Sequence, residues 1–240
     1  MTPVNKNDLL QIEALGFSIP GNRGGFLDFL RQHLPDLRLK DFVSEIDSQL
    51  SQLTSATLFK ELDFFEKEPP TLMLQYFSED ENDEKTGLGF ARTFIKYPSE
   101  LVVDHDFFRL PERYRRQGKG KALILTCLKY YLECGVSRVR VDAGLENGGL
   151  VWAKLFFAAT DKSEIEVILE DARLSLTTVQ YLAVKNVYDV YYNRLSEGRD
   201  FPMALWSRLP GMGTILQKSH WHGELDLTDQ KVLTKFNLLN

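Results

Sequence analysis

The stretch from Leu101 to Lys121 reads Leu-Val-Val-Asp-His-Asp-Phe-Phe-Arg-Leu-Pro-Glu-Arg-Tyr-Arg-Arg-Gln-Gly-Lys-Gly-Lys. Its apolar, β-branched beginning predicts a strand over 101–110, and an apolar helical pattern starts directly behind the two glycines. The first N–H groups of a helix have no acceptor inside the helix, and the helix dipole adds partial positive charge there. A strand, a glycine turn and a helix in this order therefore predict an anion site.

The turn itself is strongly basic. Gly118 and Gly120 allow a ligand to approach the backbone closely because neither carries a Cβ atom. Within 109–121, Glu112 is the single acid that offsets the cations, which are Arg109, Arg113, Arg115, Arg116, Lys119 and Lys121. This composition favours a diphosphate as the ligand, and the alternative is a basic, solvated turn before an ordinary helix.

Two common phosphate-binding motifs do not match this turn. An NTPase phosphate loop ends in Gly-Lys-Ser/Thr, whereas Ala122 follows Lys121 here. A dinucleotide-binding fingerprint needs a third glycine at the position that Leu123 occupies. The anion is therefore expected to belong to another class of ligand.

The pattern Arg115-x-x-Gly118-x-Gly120 resembles the acyl-CoA loop of the GNAT superfamily of N-acetyltransferases. Leu110 matches the apolar strand end before that loop. The resemblance implies a mixed α/β fold with a mostly antiparallel central sheet flanked by helices, and acetyl-CoA or another acyl-CoA as co-substrate. It assigns CoA binding to Phe108, Leu110, Arg115, Arg116, Gln117, Gly118, Lys119, Gly120, Lys121 and Asn147.

A second motif of this superfamily matches less well. Asn147 stands for the Asn that follows the fifth strand, but Phe156-Phe157 replaces the final Gly-Phe. The Tyr that often protonates the departing CoA thiolate in the superfamily is replaced by Trp152. Because an indole N–H is a donor and not a usable acid, we expect Trp152 to pack against its neighbours.

Two carboxylates on the strand before the loop are the candidate catalytic residues. Asp104 and Asp106 are two positions apart, so they point to one face of the sheet and His105 to the other. The resemblance implies that residues at these positions supply the general base. Two close carboxylates raise the pKa of one of them toward the useful range. The alternatives to a catalytic role are that Asp104 and Asp106 are solvated residues at a strand edge, or that they bind a cationic substrate.

The region before residue 70 has a mainly helical pattern, unlike the strand-rich sequence that follows it. Helical spacing predicts helices near 9–15, 26–34 and 39–53, with a further helical turn at Leu58–Phe65, and Glu68-Pro69-Pro70 ends the pattern. We interpret 1–70 as a helical N-terminal extension packed on the core. Its many aromatic residues cannot all be solvated, so we expect them to pack on the core or on a second subunit, namely Phe26, Phe29, Phe42, Phe59, Phe64 and Phe65.

Residues 71–240 are interpreted as the core, with an insertion around 158–215. Strands at Thr71–Phe77 and Gly87–Lys96 form a predicted hairpin around the acidic turn Ser78–Thr86. A helix over Lys121–Glu133, a strand over Val136–Ala143 and a helix opened by Asn147-Gly148-Gly149 follow, in the order of the GNAT fold. One further helix is predicted over Asp171–Ser196.

A turn into a short strand is predicted at His220–Leu227. The residues His220, His222, Glu224 and Asp226 raise the question of a metal site. Histidines clustered near a strand end are commonly surface residues, so the sequence predicts no metal.

Composition limits the remaining possibilities. The 240 residues carry a net charge of −5, which argues against general nucleic-acid binding. Cys127 and Cys134 lack metal-ligand spacing and are expected to be reduced thiols. Neither a signal peptide at Met1–Asn7 nor a membrane-spanning apolar run is found, so we expect a soluble, cytoplasmic protein without membrane insertion.

The resemblance implies direct transfer of an acyl group, most simply acetyl, from acyl-CoA to the amine of a small molecule or a protein. Backbone N–H groups near Phe108–Leu110 would polarise the thioester carbonyl. The alternatives are a catalytically inactive acyl-CoA-binding or effector protein that kept the fold, and an interaction scaffold that binds no CoA. The sequence leaves a homo-oligomer open.

Overall fold

The computed structural model describes residues 4–83, 85–144, 147–194 and 200–237. The α-helices are α1 Lys6–Ala14, α2 Arg23–His33, α3 Leu39–Leu50, α4 Lys119–Glu133, α5 Gly148–Lys154, α6 Lys162–Ser175, α7 Thr178–Arg194, α8 Met212–Lys218 and α9 Gln230–Lys235. The strands are β1 Phe17–Ser18, β2 Leu58–Phe65, β3 Thr71–Ser78, β4 Gly89–Lys96, β5 Leu101–Arg109, β6 Val136–Asp142, β7 Ala158–Ala159, β8 Phe201–Pro202 and β9 His222–Asp226. Within these residues, no helix is long and apolar enough to cross a membrane.

The chain forms two compact units. The first comprises Met1–Arg138 and Leu227–Asn240, and the second comprises Val139–Asp226. In the first unit the strands follow the order β1-β2-β3-β4-β5, with β1 parallel to β2 and the other pairs antiparallel. In the second unit β7 pairs antiparallel with both β8 and β9. The predicted fold class, a mixed α/β chain with mostly antiparallel strands and flanking helices, is confirmed.

The N-terminal helices form where the sequence supplies caps and an apolar face. Asn5 accepts hydrogen bonds from the first turn of α1 in a capping box, and Asn22 caps α2. α3 buries one face at helical spacing, namely Leu39, Phe42, Val43, Ile46 and Leu50. A helical N-terminus is therefore confirmed for this part of the chain.

The helical turn predicted at Leu58–Phe65 is wrong, because this segment is the strand β2. It pairs with β3 over its whole length, from Leu58 opposite Ser78 to Phe65 opposite Thr71. Apolar residues in this segment satisfy helical spacing as well as strand alternation, and pairing on a neighbouring strand decides between the two. Two of the aromatic side chains are not buried within the chain, since Phe59 is 61% exposed and Phe65 is 46% exposed.

The predicted hairpin and the strand before the glycine turn are confirmed as β3, β4 and β5. Their register contains one irregularity. Ala91 lies opposite Phe107 and Thr93 opposite Asp104, so a single residue of β4 faces two residues of β5. This is a β-bulge, which twists a strand locally and changes the direction of its side chains.

The second unit contains two helices where the sequence predicts one. α6 and α7 are separated at Leu176, whose backbone is extended, and the Thr177 hydroxyl bonds with Gln180 at the start of α7. Side-chain caps of this kind end one helix and begin the next even when the apolar spacing continues. The predicted strand at the C-terminal turn is confirmed as β9.

Candidate functional site

The loop between β5 and α4 is closed by a hydrogen bond across its base. The Nε–H of Arg115 donates to the carbonyl oxygen of Leu110 at 2.8 Å. A short 3-10 turn, Glu112–Tyr114, lies inside the loop, and the Gln117 amide donates to the carbonyl of Arg113. Arg115 therefore fixes the shape of the loop at the strand end.

Gly118 sits at the N-cap of α4 in the left-handed conformation, with φ +77°. A Cβ atom added at this position would meet no heavy atom within 4 Å. The helix N-terminus is thus open in front of Gly118, where a ligand can approach the first-turn N–H groups. α4 begins at Lys119, two residues before the predicted start.

Gly120 packs the first turn of α4 against the end of β5. A Cβ atom added there would lie 3.4 Å from the ring of Phe108 and 3.5 Å from a methyl group of Leu110. These are ordinary contact distances, so Gly120 tolerates a methyl group. The structure therefore brings Phe108, Leu110 and Gly120 together.

The cations around the loop divide into two groups. Arg109 points to the β3–β4 hairpin, where its Nη1 donates to the carbonyl of Glu81 at 3.0 Å. Arg116, Lys119 and Lys121 are exposed and take part in no ion pair within the described ranges. Their charges at the start of α4 remain uncompensated, which favours an anion in front of the helix.

Asp104 and Asp106 lie on one face of β5, and His105 is buried on the other. The Oδ2 atom of Asp106 accepts a hydrogen bond from the Thr93 hydroxyl at 2.9 Å. The pKa of Asp106 is raised, chiefly because part of the carboxyl is removed from water, and the charge of Asp104 adds to this effect. The Thr93 hydrogen bond acts in the opposite direction.

A buried arginine, which is not among the residues predicted from the sequence, supports the bulge beneath these carboxylates. Arg92 is fully buried, and its Nη1 donates to the carbonyls of Ala91 at 2.6 Å and Phe107 at 2.9 Å. Its guanidinium carbon lies 4.0 Å from the ring centre of Phe90. An arginine inside the apolar strand Gly-Phe-Ala-Arg-Thr-Phe-Ile is the signal that was present in the sequence.

The same buried region holds His105 neutral. Its Nε2 lies 3.1 Å from the Tyr131 hydroxyl, and burial together with the charge of Arg92 lowers its pKa well below the usual range. His105 therefore carries no charge at neutral pH and supports the strand from its inner face.

The residues of the weaker motif lie in the second unit. Asn147 precedes α5 with φ +66°, and its N–H donates to the carbonyl of Gln217 at 3.1 Å. Trp152 is buried, with its ring centre 5.1 Å from that of Phe157. Phe156 adopts φ +66°, the left-handed conformation that glycine favours, at the position where the resemblance implies glycine.

A separate polar cluster in the second unit differs from the one considered in the sequence. The structure brings Asp142 to His220 and His222, with one possible ligand atom from each lying within 4.8 Å of the others. In the sequence the histidines stand beside Glu224 and Asp226, and nothing there points to Asp142, because only the folded chain joins the end of β6 to the start of β9.

A comparison with known protein families finds a match, and the matched residues include the loop between β5 and α4. The model described as the acetyltransferase (GNAT) family matches residues 36–150. The matched residues include α3 and β2 as well as the strands, the glycine loop, α4 and β6. No curated protein matches the sequence.

Proposed function

We propose that the chain, whose residues 36–150 match the model of the acetyltransferase (GNAT) family, is an acyl-CoA-dependent N-acyltransferase. It transfers an acyl group, most simply acetyl, directly to the amine of a small molecule or a protein. The free thiols of Cys127 and Cys134 are consistent with action in the cytoplasm.

The start of α4 is the observation that carries this proposal. An open helix N-terminus at Gly118 lies next in sequence to the exposed cations Arg116, Lys119 and Lys121, which form no ion pair with the part of the chain that the structure describes. A diphosphate fits these charges and accepts hydrogen bonds from the first-turn N–H groups. The residues present therefore fit CoA, which supplies the activated acyl thioester when bound.

We assign the general base to Asp106, with Asp104 as its charged neighbour. Asp106 is exposed enough to meet an acceptor, and its raised pKa brings it nearer the operating pH. Asp106 removes a proton from the ammonium group of the acceptor. The amine nitrogen then bonds to the acyl carbon while the carbon–sulfur bond breaks, and the thiolate takes its proton from solvent.

Trp152 is the observation that favours a second function. It is buried against Phe157 and offers no acid at the position where the family often has Tyr. A protein of this kind could bind acyl-CoA without turnover. We favour the enzyme, because a thiol of ordinary pKa near 8.5 is a good leaving group without a dedicated acid.

Replacing Asp106 with Asn should reduce kcat by roughly a hundredfold or more, because the neutral amide cannot accept the proton. CoA affinity should stay unchanged, since Asp106 lies outside the glycine loop. The measurement is the release of free thiol from acetyl-CoA in the presence of primary amines. Asp171→Asn, an exposed change on α6, is the matched control and should retain the full rate. Full activity in both Asp106→Asn and Asp104→Asn would exclude these residues as the base.

Two neighbouring changes should move the pH profile in opposite directions. Asp104→Asn removes a like charge, so the pKa of Asp106 should fall and the acid limb of kcat/KM should move to lower pH. Thr93→Val removes a hydrogen bond that favours the carboxylate, so the limb should move to higher pH. The profile of kcat/KM against pH is the measurement. If neither change moves the limb, it does not report Asp106.

A further inference from the structure

Two histidines lie close together at the N-terminal end of β9, where His222 begins the strand and His220 comes two residues before it. His220 and His222 are both exposed, while Trp221 between them is fully buried. Alternation along an extended chain places residues two apart side by side, and the two imidazole ring centres lie 5.3 Å from each other. The buried indole of Trp221 fixes the orientation of the two histidines, because turning the chain over at this point would expose the indole.

Asp142, at the end of β6, completes a group of three. Its Oδ1 lies 2.7 Å from Nε2 of His220. A backbone hydrogen bond from the N–H of Ala143 to the carbonyl of Trp221, at 2.9 Å, holds the two chain segments together. A Cβ atom added at Gly144 would lie only 3.0 Å from that same Oδ1. Because glycine has no Cβ atom, the carboxylate of Asp142 can stay in this position.

A fourth residue orients His222 from outside the group. The carboxylate of Glu164, in the first turn of α6, accepts from the backbone N–H of His222 at 2.7 Å and bonds its Nδ1 at 2.6 Å. When Nδ1 carries the proton, Nε2 keeps a free lone pair. A carboxylate on the far nitrogen of a histidine is the arrangement that commonly orients metal ligands and raises their basicity.

We propose that Asp142, His220 and His222 bind a divalent metal of the zinc class, with Glu164 orienting His222. Two imidazoles and a carboxylate suit Zn²⁺, and three protein ligands leave a fourth position for water or a substrate atom. Ligands of a tetrahedral zinc ion are roughly 3.3 Å apart, as follows from bond lengths of about 2.0–2.2 Å. The atoms of Asp142 and His220 lie 2.7 Å apart, and the three ligand atoms all lie within 4.8 Å of one another, which is compatible with this spacing.

The test is a calorimetric titration of the chelator-treated full chain with Zn²⁺ alone. We expect one ion per chain, with His220→Gln, His222→Gln and Asp142→Asn each weakening binding at least tenfold. His33→Gln makes the same chemical change on α2 and should leave the affinity unchanged. Glu164→Gln should weaken binding by roughly 10–100-fold, the usual effect of losing an orienting partner.

A second measurement covers variants that fail to fold. Co²⁺ added to the unaltered chain should give the strong visible absorption of a tetrahedral site, and Zn²⁺ should abolish it by displacement. Absence of both saturable Zn²⁺ binding and this absorption overturns the proposal, as does unchanged binding in a folded His220→Gln/His222→Gln double variant. Neither readout depends on acyl transfer, so the result is independent of the proposed function.

Discussion

A Gly118→Asp variant should lose CoA binding, with the affinity falling by on the order of a hundredfold or more. Gly118 faces open space at the start of α4, so the new carboxylate has room beside the first-turn N–H groups. A side chain at the left-handed φ of Gly118 is strained, but Asp tolerates positive φ better than most residues, so the fold should survive. The carboxylate would occupy the N–H groups and repel the diphosphate. Calorimetric titration with CoA measures the loss.

Two controls separate charge from bulk. Gly118→Asn adds a side chain of the same size without charge, so its loss of affinity should be clearly smaller. Gly120→Ala adds a methyl group at ordinary contact distance from Phe108 and Leu110, and should bind CoA within a few fold of the unaltered chain. A folded Gly118→Asp variant with unchanged CoA affinity would remove the main support for the proposed site.

A chain beginning at Thr71 should be insoluble or strongly destabilised. β3 would lose β2, its partner along all eight residues. α4 would lose α3, whose Phe42 ring packs 5.2 Å from that of Tyr130 and whose Gln49 donates to Thr126 at 2.7 Å. Burial of one large apolar side chain stabilises a protein by about 1.5–3 kcal/mol. The loss of a whole helical layer therefore exceeds a typical net stability of about 5–15 kcal/mol.

Solubility and thermal melting of the shortened chain measure this effect, and a pair of substitutions tests it in the full chain. Phe42→Ala should cost about 3–5 kcal/mol of unfolding free energy, because Phe42 is fully buried. Phe59→Ala, at a largely exposed position, should change it by less than about 0.5 kcal/mol. Native-like melting and normal CoA binding of the chain from Thr71 would show that residues 1–70 are a separate module.

The features that the sequence predicts correctly are those that depend on local patterns of residues. Prolines and acidic turns delimit β3 and β4, and the glycines fix the start of α4 within two residues. Alternation alone is enough to place Asp104 and Asp106 on one face of β5. Each of these features depends on residues that are close in the chain, so no knowledge of tertiary pairing is needed.

The features that the sequence does not predict depend on distant partners. The apolar residues of β2 fit helical spacing as well as strand alternation, and pairing with β3 makes this segment a strand. Arg92 becomes a support for the bulge only when β4 lies beside β5 and the carbonyl of Phe107 comes within reach. Asp142 and His220 are separated by most of the second unit in sequence, and folding brings them to 2.7 Å. Tertiary pairing therefore decides the parts of the candidate sites that local reading misses.

The most direct test of the proposed activity is thiol release from acetyl-CoA with a panel of primary amines and protein acceptors. The proposed function predicts release that requires an acceptor, is matched by acylated product in the mass spectrum, and falls in the Gly118→Asp and Asp106→Asn variants. Saturable CoA binding without any acceptor-dependent release would contradict the proposed acyl transfer and identify the chain as an acyl-CoA-binding protein.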